Sequence, residues 1–290
     1  MKTWGAVASL GGFLEIVGDF RRRWEVAGDK ELWFRAEAAR HYETRLQPGL
    51  YRPRGSSGAR KPVQELLSLE FNLYDEFGRC ASQLSPSDSG AIDDEWDSYF
   101  LMQHHGVPTR LLDWTDGSLI SLHFAMRDKP LVPTDDSMIY VLDPYWLIDM
   151  LDNHRDRAEA IGRWKRYCRG RTQKDKDEED WESLYLPFGA DDPDQPLLNM
   201  PKIPLLWDSP HLTRRIAAQR SRFLVTGSDP DFLATIEADQ DSRLESILIE
   251  RNAIPKIRQE LRDAGITESI VFPDLDGLGR ELKQQWELER

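Results

Sequence analysis

The sequence predicts an α+β fold, with a mixed central sheet or sheets flanked by helices. Apolar residues recur at helical spacing in some stretches, while short aromatic or β-branched runs bounded by turn residues occupy others. The two kinds are interleaved without regular βαβ alternation, and neither GxGxxG nor GxxxxGK[ST] occurs, which argues against a dinucleotide-binding doubly wound sheet. Hydrophobic residues make up 40% and charged residues 31% of 290, enough apolar material and length for a sizeable core. There is no internal repeat.

From the N-terminus, Phe13, Ile16, Val17, Phe20 and Trp24 predict an amphipathic helix over residues 13–26. Leu32-Trp33-Phe34-Arg35-Ala36 reads as a buried strand, in which the charge of Arg35 requires a partner or a cleft. Residues 52–61 form a mobile basic loop, and a helix follows over about 63–80. Asp93-Asp94-Glu95-Trp96 supplies an acidic first turn for a helix over 93–105, stopped by Gly106 and kept from resuming by Pro108. Arg110 to Trp114 is the next strand. Asp116-Gly117-Ser118 then turns the chain into a helix over 119–127, with Leu119, Leu122, His123 and Met126 on one face. Met138 to Leu142 is a strand and Pro144 opens a helix. The charge run at 169–180 and the Pro/Asp loop at 189–197 read as an insert. Later strands are expected at 221–226, 244–249 and 269–272, with helices between them and at the C-terminus. Asp274 or Asp276 is expected to cap the last helix.

Composition narrows the function classes. A net charge of −13 argues against nonspecific nucleic-acid binding, which needs a basic face, but leaves room for a local basic pocket. No apolar run approaches the roughly 20 residues of a membrane span, and no signal-peptide pattern precedes the Arg21-Arg22-Arg23 cluster. Cys80 and Cys168 are far apart, without CxxC spacing. The expectation is a cytoplasmic protein without membrane partners. Most of the ten Trp are expected to pack the core or line clefts.

The richest segment is Gln103-His104-His105-Gly106-Val107-Pro108-Thr109-Arg110-Leu111-Leu112-Asp113-Trp114-Thr115, which crosses from a helix end through a turn into a strand. Polar groups concentrated at such a junction often face a cleft. A metal-dependent hydrolase or nuclease would use His104, His105 and Asp113. Consecutive helical residues, however, point about 100° apart, and no HxxxH or HxH pair is present, so no metal is expected. The bland alternative is that a histidine caps the helix end while Asp113 pairs with Arg110 or another buried arginine. Nucleophilic catalysis has no GxSxG elbow or activated cysteine behind it.

The segment from Gln103 to Thr115, followed by a helix ending His123-Phe124-Ala125, resembles the signature of the FRG-domain family. Phe34-Arg35-Ala36-Glu37 stands where that family carries Phe-Arg-Gly, with Ala36 replacing the glycine. Arg215 through Gln219-Arg220-Ser221-Arg222-Phe223 and Phe272-Pro273-Asp274-Leu275-Asp276-Gly277-Leu278 are similar to later family segments. The resemblance implies residues 1–30 as an N-terminal helix packed on the core, and 31–285 as one FRG-type domain with its insert at about 169–197. The order of motifs also looks like the ADP-ribosyltransferase arrangement, which implies a split sheet and NAD as the ligand. Arg35 would then grip the pyrophosphate, with Arg110 nearby, and Thr115 would support the nicotinamide ribose. The acidic catalytic position holds Gln219 instead, and a neutral amide lacks the charge to stabilise an oxocarbenium-like transition state. The implied functions are an ADP-ribosyltransferase-like bacterial toxin or phage-defence effector, using Arg35, His104, His105, Asp113, Thr115 and Gln219 on a macromolecular acceptor, or a non-catalytic module binding a nucleotide or nucleic-acid end through Arg35, Arg110 and exposed Trp.

Overall fold

The strands are β1 (Thr3–Val7), β2 (Trp33–Glu37), β3 (Leu111–Thr115), β4 (Ser137–Leu142), β5 (Leu205–Trp207), β6 (Ser221–Val225) and β7 (Leu244–Ile249). They form one seven-stranded sheet in the order β1-β7-β4-β2-β3-β6-β5. The β1–β7 pair is parallel and the other pairs are antiparallel. The structure is a computed structural model and describes residues 3–38, 45–53, 59–84, 95–127, 133–168, 181–187, 200–207 and 214–286.

The helices are α1 (Leu10–Arg23), α2 (Val63–Leu84), α3 (Glu95–His104), α4 (Ser118–Arg127), α5 (Pro144–Asp152), α6 (Arg155–Cys168), α7 (Arg214–Ala218), α8 (Phe232–Glu237), α9 (Ile254–Asp263), α10 (Glu268–Val271) and α11 (Leu275–Gln285). Strand alternation divides the core. Phe34, Ile139, Val141, Ile247 and Ile249 meet Phe13 and Phe20 of α1, Leu122 and Met126 of α4, and Ile254 and Ile257 of α9. Trp33, Tyr140, Leu142, Leu112, Trp114 and Leu224 meet Leu147 and Leu151 of α5 and Leu233 of α8. A third cluster joins Leu111, Phe223 and Val225 to Trp96, Tyr99 and Phe100 of α3. No helix among the described residues is long and apolar enough to cross a membrane.

The join between β2 and β3 positions the site. β2 pairs with β4 from Trp33↔Leu142 through Glu37↔Met138, and β3 pairs with β6 from Leu111↔Val225 through Thr115↔Ser221. Between β2 and β3 the register has the single pair Phe34↔Thr115. Two fully laddered halves therefore meet at one point, and the backbone groups beyond it need other partners.

The mixed α+β fold, the amphipathic first helix and the strands expected near 32–36, 110–114, 138–142, 221–226 and 244–249 are observed, with ends shifted by up to three residues. The strand expected at 269–272 is instead helical, with Val271 N donating to Thr267 O and Phe272 N to Glu268 O. The three-residue apolar run Ile270-Val271-Phe272 carries no usable period, and Val271 and Phe272 are buried against Ile120 rather than in a ladder. The N-terminal segment contributes more than a helix, because β1 extends the sheet beside β7.

Most of the expected insert lies outside the described residues. Between its charge run and its Pro/Asp loop, Trp181–Tyr185 is a 3-10 turn whose Trp181 and Tyr185 are core residues. Residues 54–58 of the basic loop are also outside. At its described ends Arg52 pairs with Glu37 at 3.5 Å and Arg60 with Asp231 at 2.7 Å.

Candidate functional site at the β2–β3 seam

The junction from α3 to β3 is fixed from within. Gly106 takes a φ of +78°, a conformation costly for other residues. Gly106 N bonds Gln103 O at 2.9 Å and Val107 N bonds Met102 O at 3.1 Å. These bonds close the helix as a Schellman motif, so the glycine, not a histidine, caps it. The Gln103 side chain ties the two sides of the turn together. It accepts from the Thr109 hydroxyl at 2.6 Å and donates to Asp113 Oδ2 at 2.9 Å.

Arg110 is fully buried. Its Nε donates to Glu70 of α2, Nη2 to the Tyr185 carbonyl, and Nη1 to the Thr226 carbonyl at 3.2 Å. Glu70 also accepts from Arg110 N at 2.7 Å and from the Tyr99 hydroxyl. Burial works against the Arg110 charge, but Glu70 outweighs it and raises the pKa. The sequence suggests Asp113 as the partner of Arg110 or of another buried arginine, and a ligand contact for Arg110. The observed partner is Glu70, and every group of Arg110 faces the interior. Glu70 had a readable signal: it follows Leu66 and Leu67 at helical spacing on the buried face of α2.

Asp113 is exposed and is the common neighbour of the remaining predicted residues. Arg35 Nη1 donates to the Asp113 backbone carbonyl at 2.7 Å, across the seam where the strands no longer pair. His104 lies within electrostatic reach of Asp113, Arg215 and Asp274. Partial burial, then Arg215 and His105, lowers its pKa, countered in part by Asp113 and Asp274. His105 is exposed, its ring perpendicular to that of His104 and close to Phe77. Thr115 and Gln219 sit beside this point but are committed. The Thr115 hydroxyl donates to the Gln219 carbonyl at 2.7 Å and accepts from Gly117 N at 3.0 Å. The Gln219 side-chain amide donates to the Val271 carbonyl at 3.3 Å.

Arg35 is the least satisfied of these groups. Its Nε is buried without a hydrogen bond and comes only to 3.9 Å of Glu37 Oε1. Burial lowers its pKa, countered in part by Glu37 and Asp113. Glu37 Oε2 and Glu237 Oε1 are likewise buried without partners. Tyr140, opposite Arg35 on β4, has its hydroxyl pKa raised by burial and then by Glu37 and Glu237. Native interiors leave few such groups, and a cluster of them reads as space for a polar ligand or water. Among the described residues, no group of three or more His, Cys, Asp or Glu side chains could hold a metal ion.

The fold and the seam define an α+β protein organised on a helix–turn–strand junction with an arginine-bearing strand beside it. Residues 30–131 match the family model of the FRG domain, and the chain thus carries an FRG domain. The match takes in Arg35, both histidines, Asp113 and Thr115 and ends before β4, so Gln219 lies outside it. Comparison with curated proteins and with solved structures finds no match.

Proposed function

We propose that the seam binds a phosphate-bearing nucleotide through Arg35 and handles NAD in the manner of an ADP-ribosyltransferase-like protein. The observation that carries this reading is Arg35 itself: a partly buried guanidinium that donates to one carbonyl and stands 3.9 Å from Glu37, with its buried Nε making no hydrogen bond. Buried charges in a stable interior are normally paired and hydrogen-bonded, and a guanidinium presents a fork that fits phosphate oxygens. In this reading Thr115 and Gln219 position the junction rather than react, since their polar groups are engaged. The carboxylates whose fields reach Arg35 are Glu37 and Asp113, and these are the acids available to a developing positive charge. As a bacterial toxin or phage-defence effector, the protein would modify a macromolecular acceptor.

A second reading, a non-catalytic nucleotide-binding module, is favoured by the structural commitments of Thr115 and Gln219. Incubation of the full chain with isotope-labelled NAD and cell lysate separates the two. Label transfer or nicotinamide release that disappears in Arg35→Ala supports the enzyme. Saturable NAD binding without turnover, weakened at least ten-fold by Arg35→Ala, supports the module. Absence of both binding and turnover removes the nucleotide reading.

A further inference from the structure

Beyond the seam, three arginines from distant parts of the chain crowd one phenyl ring. The Cζ atoms of Arg127, Arg215 and Arg280 lie 4.1, 4.6 and 5.0 Å from the centroid of Phe272. Phe272 is almost wholly buried, anchored edge-on against Phe124 at 5.8 Å and packed on Ile120. A fixed aromatic face attracts guanidinium groups, yet three like charges so close together repel one another unless anions compensate.

One carboxylate does compensate, and it is fully used. Glu268 Oε1 accepts from Arg127 Nε at 3.0 Å and from Arg280 Nε at 2.6 Å, while Oε2 meets His123 Nε2 at 3.0 Å. Arg215 has no hydrogen-bonded or ion-paired acid among the described residues. The two further acids whose fields reach it, Asp274 and Asp113, form no ion pair with it and accept hydrogen bonds from neutral donors. Asp274 caps α11 through Gly277 N at 2.7 Å, and Asp113 accepts from Gln103. Arg127 and Arg280 keep side-chain exposures of 25% and 32%, so solvent reaches both guanidinium groups, and Arg215 is half-buried. In a chain of net charge −13, three guanidinium groups here share a single ion-paired carboxylate among the described residues.

We propose that Arg215, with Arg127 and Arg280 beside it on Phe272, is a binding site for a phosphate group of a small nucleotide. Arg127 and Arg280 are held in place by Glu268 and supply field. Arg215 supplies the open donors. The site stands on its own residues and does not require Arg35. It lies next to the seam, because Arg215 and His104 are both neighbours of Asp113.

The test is isothermal titration of the full chain with inorganic phosphate, ADP and adenosine, on wild type, Arg215→Gln, Arg35→Met and Arg155→Gln. Among the described residues the partner of the Arg215 side chain is the Phe272 ring, so thermal unfolding of Arg215→Gln is expected to match wild type and keep the comparison interpretable. Expected are saturable phosphate binding by wild type, a loss of at least ten-fold in Arg215→Gln, and less than a two-fold change in the control Arg155→Gln, an exposed arginine of α6 paired with Glu159. ADP that binds more tightly than phosphate, with the gain lost in Arg35→Met, would show one nucleotide spanning both places. ADP no tighter than phosphate, with phosphate still dependent on Arg215, keeps this site while the seam reading fails. Phosphate affinity unchanged in Arg215→Gln, or no phosphate binding by wild type at millimolar concentration, overturns the proposal.

Discussion

Two arginines on opposite sides of the seam, Arg35 in β2 and Arg110 at the entry to β3, show how differently the same side chain can be used. Arg110 is enclosed by Glu70, Tyr99, Tyr185 and Thr226, so each of its guanidinium nitrogens faces an interior partner. Arg35 reaches one backbone carbonyl and leaves its Nε buried and unbonded. Removing one partner from a closed pair strands a charge. An open arginine already carries part of that cost, and such a cost persists where function uses it. Arg110 is thus built into the interior, whereas Arg35 keeps the group on which the proposed ligand site rests.

The largest expected effect lies on the closed side. Glu70→Ala strands the Arg110 charge and removes the acceptor of Tyr99 and of Arg110 N, so it should destabilise the protein by about 3–5 kcal/mol. Urea denaturation would show this as a lower midpoint at unchanged slope. A change below about 1 kcal/mol would mean that Arg110 is not held by this pair.

Glu268 is a second closed carboxylate and gives the contrast a pH signature. Burial raises its pKa, but hydrogen bonds from His123 and Arg280 and the charge of Arg127 overcome this and hold it at about 2, below the ordinary 4.5. The folded value is depressed, so its contribution is complete above pH 4.5 and is lost as pH falls towards 2. Stability measured across that window should fall with pH in the wild type and fall less steeply in Glu268→Gln. Equal slopes would remove the ion cluster from the account of acid stability.

A smaller effect is expected at the last helix. Asp274 caps α11 by accepting from Gly277 N, so Asp274→Ala should cost about 1 kcal/mol. Thermal unfolding checks it. Because α11 carries Arg280, a cost near zero would mean that the helix is positioned by its packing alone.

Legibility in the sequence followed the range of the interactions. The first helix, the Gly106 stop and the Asp274 cap rest on neighbouring residues and were readable. The family signature drew attention to Arg35, His104, Asp113 and Thr115, which the fold brings together around β3. The partner of Arg110 was not readable from the signature, because Glu70 lies 40 positions upstream on another helix. The Phe272 cluster was less legible still, since Arg127, Arg215 and Arg280 come from α4, α7 and α11. Its ring lies in a stretch whose apolar run resembled a strand. Gln219 was read as a failed acid, whereas its amide and carbonyl tie the β3 junction to Val271 and Thr115.

The central claim is that Arg35 is open for a ligand at little structural expense. NAD binding and urea stability of wild type and Arg35→Met, measured side by side, test it most directly. The expected result is stability within about 1 kcal/mol of wild type, because one hydrogen bond and a long ion pair are lost while Glu37 keeps Arg52, together with at least ten-fold weaker NAD binding. A destabilisation of about 3 kcal/mol or more with NAD affinity unchanged would place Arg35 with Arg110 among the closed structural pairs and contradict the claim.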